Sequence, residues 1–265
     1  MIDIHCHILP DIDDGSKSVD ASLAQLRAMA DGGITDAFLT SHYFRGHYQY
    51  SKDEYKAKYN TFAQEVAHQQ IGINLYPGFE VFLLPGIEDD VQSMGLTMGE
   101  SAYVLVETEL NGRPTDDYGS MYQLLRKGFK PILAHVERYV GVMLNPYEAY
   151  NLMIQDIYLQ LNAGSLLGSY GSKVESTAWY LAEQGWAHFI ASDDHVRSSY
   201  EHMLAANIIV SDNIDRYTAD LLFDEHPRYI IENKRIQRNY VKVLKDNSSN
   251  RLNRRSAGFF NRLFR

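Results

Sequence analysis

The chain of 265 residues is 45% hydrophobic and 22% charged, with a single cysteine and a formal net charge of −9. Such a composition describes a globular chain with an ample core, long enough for one large domain or two small ones. It excludes an internal disulfide, a membrane-spanning apolar run of 18 residues, and the basic surface of a general nucleic-acid binder. The N-terminus also lacks the basic segment and apolar core of a secretory leader, so a cytoplasmic protein is expected.

The first stretch is a short apolar strand from Ile2 that delivers His5 and His7. Strand side chains alternate faces, so the two histidines share one face and Cys6 takes the other. Asp11, Asp13 and Asp14 follow at once, and imidazoles beside carboxylates form a candidate divalent-metal site. Alone, two histidines two apart are common by chance and would equally suit a solvated N-terminal arm. Ser18 or Asp20 then caps a helix through Met29, closed by Gly32 and Gly33. Residues 34–40 read as the second strand, ending at Ser41 and His42, and a charged, Tyr-rich helix covers about 51–69. Strand 73–76 leads through Pro77 and Gly78 to Phe79 and Glu80, and strand 103–106 ends on Glu107. Helix 118–126 precedes strand 131–134, which ends on His135. Helix 147–154, strand 158–161 and helix 174–184 follow. The last strand, 187–191, delivers Ser192, Asp193, Asp194 and His195.

Strands alternating with helices imply a parallel sheet with crossover helices. No linker divides the chain, so residues 1–250 are expected as one domain. Residues 251–265 form a separate tail with five arginines and no acid, which leaves about −14 on the rest. In that tail Phe259, Phe260, Leu263 and Phe264 interleave with Arg262 and Arg265. The pattern fits a solvated, disordered end or a short amphipathic helix on an anionic membrane or a partner.

His5, His7, His42, Glu80, Glu107, His135, Asp193 and His195 all fall at or just past the C-terminal ends of predicted strands. In a parallel barrel those ends converge on one face, where such enzymes hold their active sites. Each residue alone could be a buried histidine on a carbonyl or a carboxylate in an ion pair. Together they would be costly to desolvate without cations, so a multinuclear metal site is expected.

On these residues the chain resembles the PHP (polymerase and histidinol phosphatase) superfamily. Within it, the chain is similar to the bacterial manganese-dependent tyrosine-protein phosphatases of capsule and exopolysaccharide operons, the CpsB/CapC/YwqE type. The matching stretches are residues 4–10 with Asp13, Asp14 and Gly15, then 40–43, 77–81, 105–107, 132–139 and 191–195, and the likeness spans roughly 1–244. The resemblance implies a distorted (β/α)7 barrel with three divalent ions, usually manganese, with iron or zinc as alternatives. His5, His7, Glu80 and Asp193 would hold one ion. Glu80, Glu107 and His135 would hold a second, with Glu80 bridging, and Asp14, His42 and His195 the third. Catalysis would then be in-line hydrolysis of a phosphotyrosyl ester. Asp193 and His195 stand at its centre, and His195 or a water supplies the leaving-group proton. Arg138, three residues past His135, fits a phosphate clamp through its planar fork, or an ion pair with Glu137 or another acid.

The chain departs from the family in two places. The second phosphate-binding arginine normally lies several residues past the Asp-x-His element, whereas Arg197 follows His195 by only two. Val136 also replaces the usual proline after His135. Cys6 is read as a packing residue. A cysteine-dependent tyrosine phosphatase would need an arginine six residues later, and position 12 is Ile12. Tyr43, with Phe44, Tyr48 and Tyr50, decorates the loop after His42, where aromatics would hold a substrate's phenyl ring or a partner's tail, or simply reflect a chain with 19 tyrosines. The resemblance points to the phosphotyrosine-bearing tail of a membrane-associated kinase as substrate; the basic tail of this chain would suit contact with the inner face of that membrane, and the sequence leaves an oligomer open. The competing readings are a small-molecule phosphatase of the histidinol-phosphate type and a non-catalytic, metal-stabilised module that binds the kinase.

Overall fold

Seven parallel strands run in chain order: β1 (Ile2–Cys6), β2 (Asp36–Tyr43), β3 (Asn74–Phe82), β4 (Tyr103–Glu107), β5 (Lys130–Leu133), β6 (Tyr158–Asn162) and β7 (Phe189–Ala191). Parallel neighbours cannot be joined by a tight turn, so the chain returns outside the sheet each time. It does so through helices α1 (Val19–Asp31), α2 (Lys52–His68), α3 (Ile87–Asp90), α4 (Tyr118–Arg126), α5 (Val140–Leu144), α6 (Tyr147–Met153), α7 (Ala163–Leu166) and α8 (Ser172–Gln184). Three more follow β7: α9 (Tyr200–Asn213), α10 (Arg216–Asp220) and α11 (His226–Ile231). This computed structural model describes residues 1–197 and 200–236. Met1–Arg235 form one compact unit, and of the second, Ile236–Arg265, only the first residue is described. The expected boundary after residue 250 and the basic tail therefore lie outside the described residues.

β7 has only three residues, and the segment behind it closes the barrel onto β1. Asp193 N donates to His5 O at 2.8 Å, His7 N donates to Asp194 O at 2.8 Å, and Cys6 pairs with Asp194 in parallel. Asp3, wholly buried, accepts from Ser192 N at 3.1 Å and from Ser192 Oγ. Burial pushes the Asp3 carboxyl up to about 6 against the Ser192 hydrogen bonds that pull it down. The expected distorted seven-stranded α/β barrel is thus what the chain builds. Its closure delivers Asp193 and His195 beside His5 and His7.

Helix ends follow the caps legible in the sequence. Ser18 accepts from Ala21 N to start α1, and Ser51 with Glu54 forms a reciprocal capping box on α2. β2 and β3 are longer than expected because they pair residue for residue from Asp36–Asn74 to Tyr43–Val81. His42 therefore stands inside a strand and not past its end. Helices α9 to α11 had no counterpart in the sequence reading. α9 buries Met203, Ala206 and Val210 at helical spacing, but exposed Ile208 blurs the stripe. Cys6 lies on the outer, helix-facing side of β1 as expected. Its thiol donates to Phe38 O at 3.2 Å, and burial pushes its pKa well up.

Candidate metal centre

Glu80 is the hub of the strand-end cluster. β3 turns it inward, where Oε2 lies 3.1 Å from His5 Nε2, 3.2 Å from His7 Nε2 and 3.3 Å from His42 Nδ1. Its other oxygen, Oε1, is 3.0 Å from His135 Nε2. Asp193 Oδ1 stands 3.4 Å from His5 Nε2, and Glu107 Oε1 3.2 Å from His42 Nδ1. Asp14 Oδ1 lies between His42 Nε2 at 3.4 Å and His195 Nε2 at 3.6 Å. Every residue that the resemblance assigns as a ligand is in this ring; of the other two carboxylates that follow His7, Asp13 stands behind the His7 ring and Asp11 is exposed. Three subsets bring donor atoms within 4.8 Å of one another: His5, His7 and Asp193; His42, Glu80 and Glu107; and His7, Asp14, His42 and His195. In this geometry His42 stands with Glu80 and Glu107 as well as with Asp14, while His135 touches Glu80 but joins none of the three subsets.

The donor chemistry fits cations. Gln160 Oε1 accepts from His135 N at 2.9 Å, which fixes its amide, so the 3.2 Å contact to His5 Nδ1 needs the proton on that nitrogen. His7 Nδ1 likewise meets Asp13 Oδ2 at 3.0 Å. In their neutral forms both rings therefore turn Nε2 lone pairs inward, 3.2 Å apart and facing Glu80 Oε2. Lone pairs converging on one point repel unless a cation sits there, and hydrogen bonds to the remote nitrogen orient metal-binding histidines in this way.

The electrostatics run the same way. Burial works against charge on His5, but Glu80 and Asp193 outweigh it and hold its pKa up at about 9. His7 is raised well above its ordinary value, with Asp13 and Glu80 overcoming burial. Burial opposes the ionised form of Glu80, yet His5, His135 and His42 hold it well below the usual carboxylate range. Divalent ions supply the same positive charge and release those protons.

Local backbone shape is committed to the ring. A Cβ on Gly15 would fall 2.0 Å from His7 O, so only glycine lets the Asp13–Asp14 turn fold onto the end of β1. His135 and Asp193 both have positive φ, 37° and 53°, a region costly for residues with side chains and frequent at functional sites.

A model of the capsular polysaccharide synthesis family CpsB/CapC matches residues 1–232. The chain belongs to the CpsB/CapC family. It is 31% identical over 196 residues to tyrosine-protein phosphatase YwqE of Bacillus subtilis, covering 74% of this chain and 77% of that one. To tyrosine-protein phosphatase CpsB of Streptococcus pneumoniae it is 28% identical over 243 residues, covering 87% and 98%. The crystal structures of those two proteins, described as unique metal-dependent tyrosine phosphatases, include a chain that superposes with a TM-score of 0.83 at 28% identity, over 89% of this chain and 96% of that one.

With the CpsB/CapC barrel in place, the other expected site residues divide. Arg138 reaches the ring, with Nη1 3.4 Å from Asp193 Oδ2. Its sequence neighbour Glu137 does not pair with it; Glu137 is buried and accepts from Asn162 N at 2.9 Å and from Ser165 Oγ. Tyr43 is a correction. β2 continues through it, so alternation turns its side chain away from His42, and the ring is 1% exposed with its hydroxyl on Asp90 Oδ2 at 2.9 Å. Tyr48 instead stacks on His42, centroids 5.5 Å apart. Arg197 is exposed, and its backbone N–H donates to Asp194 Oδ1 at 2.9 Å. No hydrogen bond or ion pair joins its guanidinium to the ring among the described residues.

Sequence reasoning missed the supports behind the ring. Gln160 and Asn162 project from β6 and are joined by Gln160 Nε2 donating to Asn162 Oδ1 at 2.9 Å. Asn162 Nδ2 holds Asp193 Oδ2 at 2.7 Å. Asp13, expected within the metal site, supports it from behind by binding His7, Gly15 N and His42 N at once. For Gln160 and Asn162 the alternate spacing on β6 was the available signal, but amides match no metal motif.

Proposed function

We propose that the protein is a metal-dependent protein-tyrosine phosphatase acting on the Tyr-rich tail of a bacterial kinase that controls capsule or exopolysaccharide assembly. The observation that carries this reading is the ring around Glu80, five imidazoles and four carboxylates with Arg138 beside it, in a CpsB/CapC chain. His5, His7, Glu80 and Asp193 would hold one ion, Glu80, Glu107 and His135 a second, and Asp14, His42 and His195 a third. Mixed imidazole and carboxylate donors suit manganese, iron or zinc, and the carboxylate share leans toward manganese. When bound, such ions lower the pKa of water and neutralise charge on a transferring phosphoryl group.

The chain's own groups supply binding and orientation. Arg138 presents its fork to the phosphoryl oxygens while Asp193 holds one of its nitrogens. The His195 Nδ1 proton goes to Asp193 O at 3.0 Å, which leaves Nε2 on the open side beside Asp14, itself 47% exposed. A phenolate leaving group, pKa ~10, departs with less proton assistance than an alkoxide. Among the described residues no helix is long and apolar enough to cross a membrane. The tail 251–265, with its arginines and phenylalanines, suits recruitment to the anionic inner face where a kinase tail would lie.

The test is phosphate release from a Tyr-rich phosphopeptide by chelator-stripped protein, with and without added Mn²⁺, beside histidinol phosphate. Release from the peptide only on metal return is the expected result. Preference for histidinol phosphate would reassign the substrate, and no release from either with metal bound would leave a binding module. Repeating it with anionic vesicles and a chain lacking 251–265 tests the tail: unchanged vesicle binding removes that assignment.

A further inference from the structure

Tyr170 is an aromatic residue at the edge of the site that the metal ring does not use. It sits 40% exposed in the turn between α7 and α8. That turn is braced: Gly171 N donates to Gly168 O at 3.0 Å, Ser169 N to Gly164 O at 3.0 Å, and Trp179 Nε1 reaches back from α8 to Leu166 O at 3.0 Å. Gly168 and Gly171, at φ +79° and +92°, take backbone shapes open to glycine and closed to most residues. A side chain on so tight a turn is presented in one place.

The ring lies under the Arg138 guanidinium, 4.6 Å from its carbon. Arg138 also touches Asp193, the carboxylate that Asn162 holds. The Arg138–Asp193 contact is a single one at 3.4 Å, which leaves the guanidinium free to rotate. A guanidinium resting over a ring that is carried on so braced a turn has its rotation restrained. The phenyl group of an aryl phosphate begins one ester oxygen from the phosphoryl group that Arg138 would bind. An aromatic side chain beside the clamp would offer an aryl ester far more contact area than the small group of a methyl ester.

We propose that Tyr170 is a positioning and specificity-determining residue: it fixes the plane of Arg138 and favours aryl over alkyl phosphate esters by contact with the substrate's phenyl ring. This rests on the phosphotyrosine reading above. It is tested by calorimetric binding of phenylphosphonate and methylphosphonate to the metal-loaded full-length wild type, Tyr170→Phe and Tyr170→Leu, beside turnover of a phosphotyrosyl peptide. Metal content and melting temperature serve as controls for folding. Tyr170→Phe keeps both phosphonate affinities within about threefold, because the ring remains. Tyr170→Leu weakens phenylphosphonate about tenfold and methylphosphonate about threefold or less, and its loss in peptide turnover appears mainly in KM. Equal weakening of the two phosphonates, or none, would overturn the inference. Since binding is read without turnover, a wild type that fails to cleave the peptide would count against the phosphatase reading instead.

Discussion

Two regions of this barrel bury histidines equally and treat them oppositely. At the C-terminal ends of the strands, His5 and His7 are wholly inaccessible, yet Glu80, Asp193 and Asp13 hold their pKa values up. Just ahead of β7, at its other end, His188 is as deeply buried, and burial followed by repulsion from His226 drives it down to about 3. His226 falls as well, chiefly through burial, and its Nδ1 sits 2.9 Å from the His188 carbonyl. The difference teaches that burial alone does not make a site. A buried imidazole facing carboxylates waits for a cation, whereas one facing another imidazole is neutral core.

The sharpest way to break the contrast is to remove the carboxylate hub. Glu80→Gln takes the shared oxygen from His5, His7 and His42, and should abolish stoichiometric metal binding and cost at least about 10²-fold in turnover. Elemental analysis of the purified variant checks it; full metal occupancy would mean Glu80 is not the shared ligand. Gln160→Leu probes the support behind the ring. It removes the acceptor that keeps the His5 proton on Nδ1, so metal affinity should fall about 10- to 100-fold with the ligands intact. A competition titration against a chromogenic chelator reads that loss, and an unchanged affinity would make the amide mere packing.

The smallest effect lies in the other region. A histidine with a folded pKa of about 3, against an unfolded value near 6.5, resists protonation in the native state. Its stability contribution is complete above about pH 6.5 and lost as pH falls toward 3. By pH 5 that amounts to about 2 kcal/mol. His188→Gln should flatten the dependence of melting temperature on pH between 7 and 5; a slope equal to wild type would place the acid sensitivity elsewhere.

The site was legible in the sequence to the extent that strand parity governs it. His5 and His7 share a face, and Cys6 opposes them, from local alternation alone. Tyr43 shows the same rule neglected: β2 runs one residue past His42, so His42 faces the ring and Tyr43 faces the core. Gln160 and Asn162 escaped notice because amides match no metal motif even at alternate spacing, and Tyr170 because a loop tyrosine carries no spacing that marks it. Helix α9 escaped because exposed Ile208 interrupts its apolar stripe, and α10 and α11 because five and six residues are too few to show a period.

The sequence by itself determined which strands end in imidazoles and carboxylates and which side of each strand they occupy, because a two-residue period is a property of the local backbone. The tertiary structure alone decided that the segment after the three-residue β7 closes onto β1, that Glu80 becomes the oxygen common to His5, His7 and His42, and that Gln160 supports His5 from 155 residues away. Those contacts depend on how a twisted parallel sheet closes, and closure is set by the packing of all seven strands together.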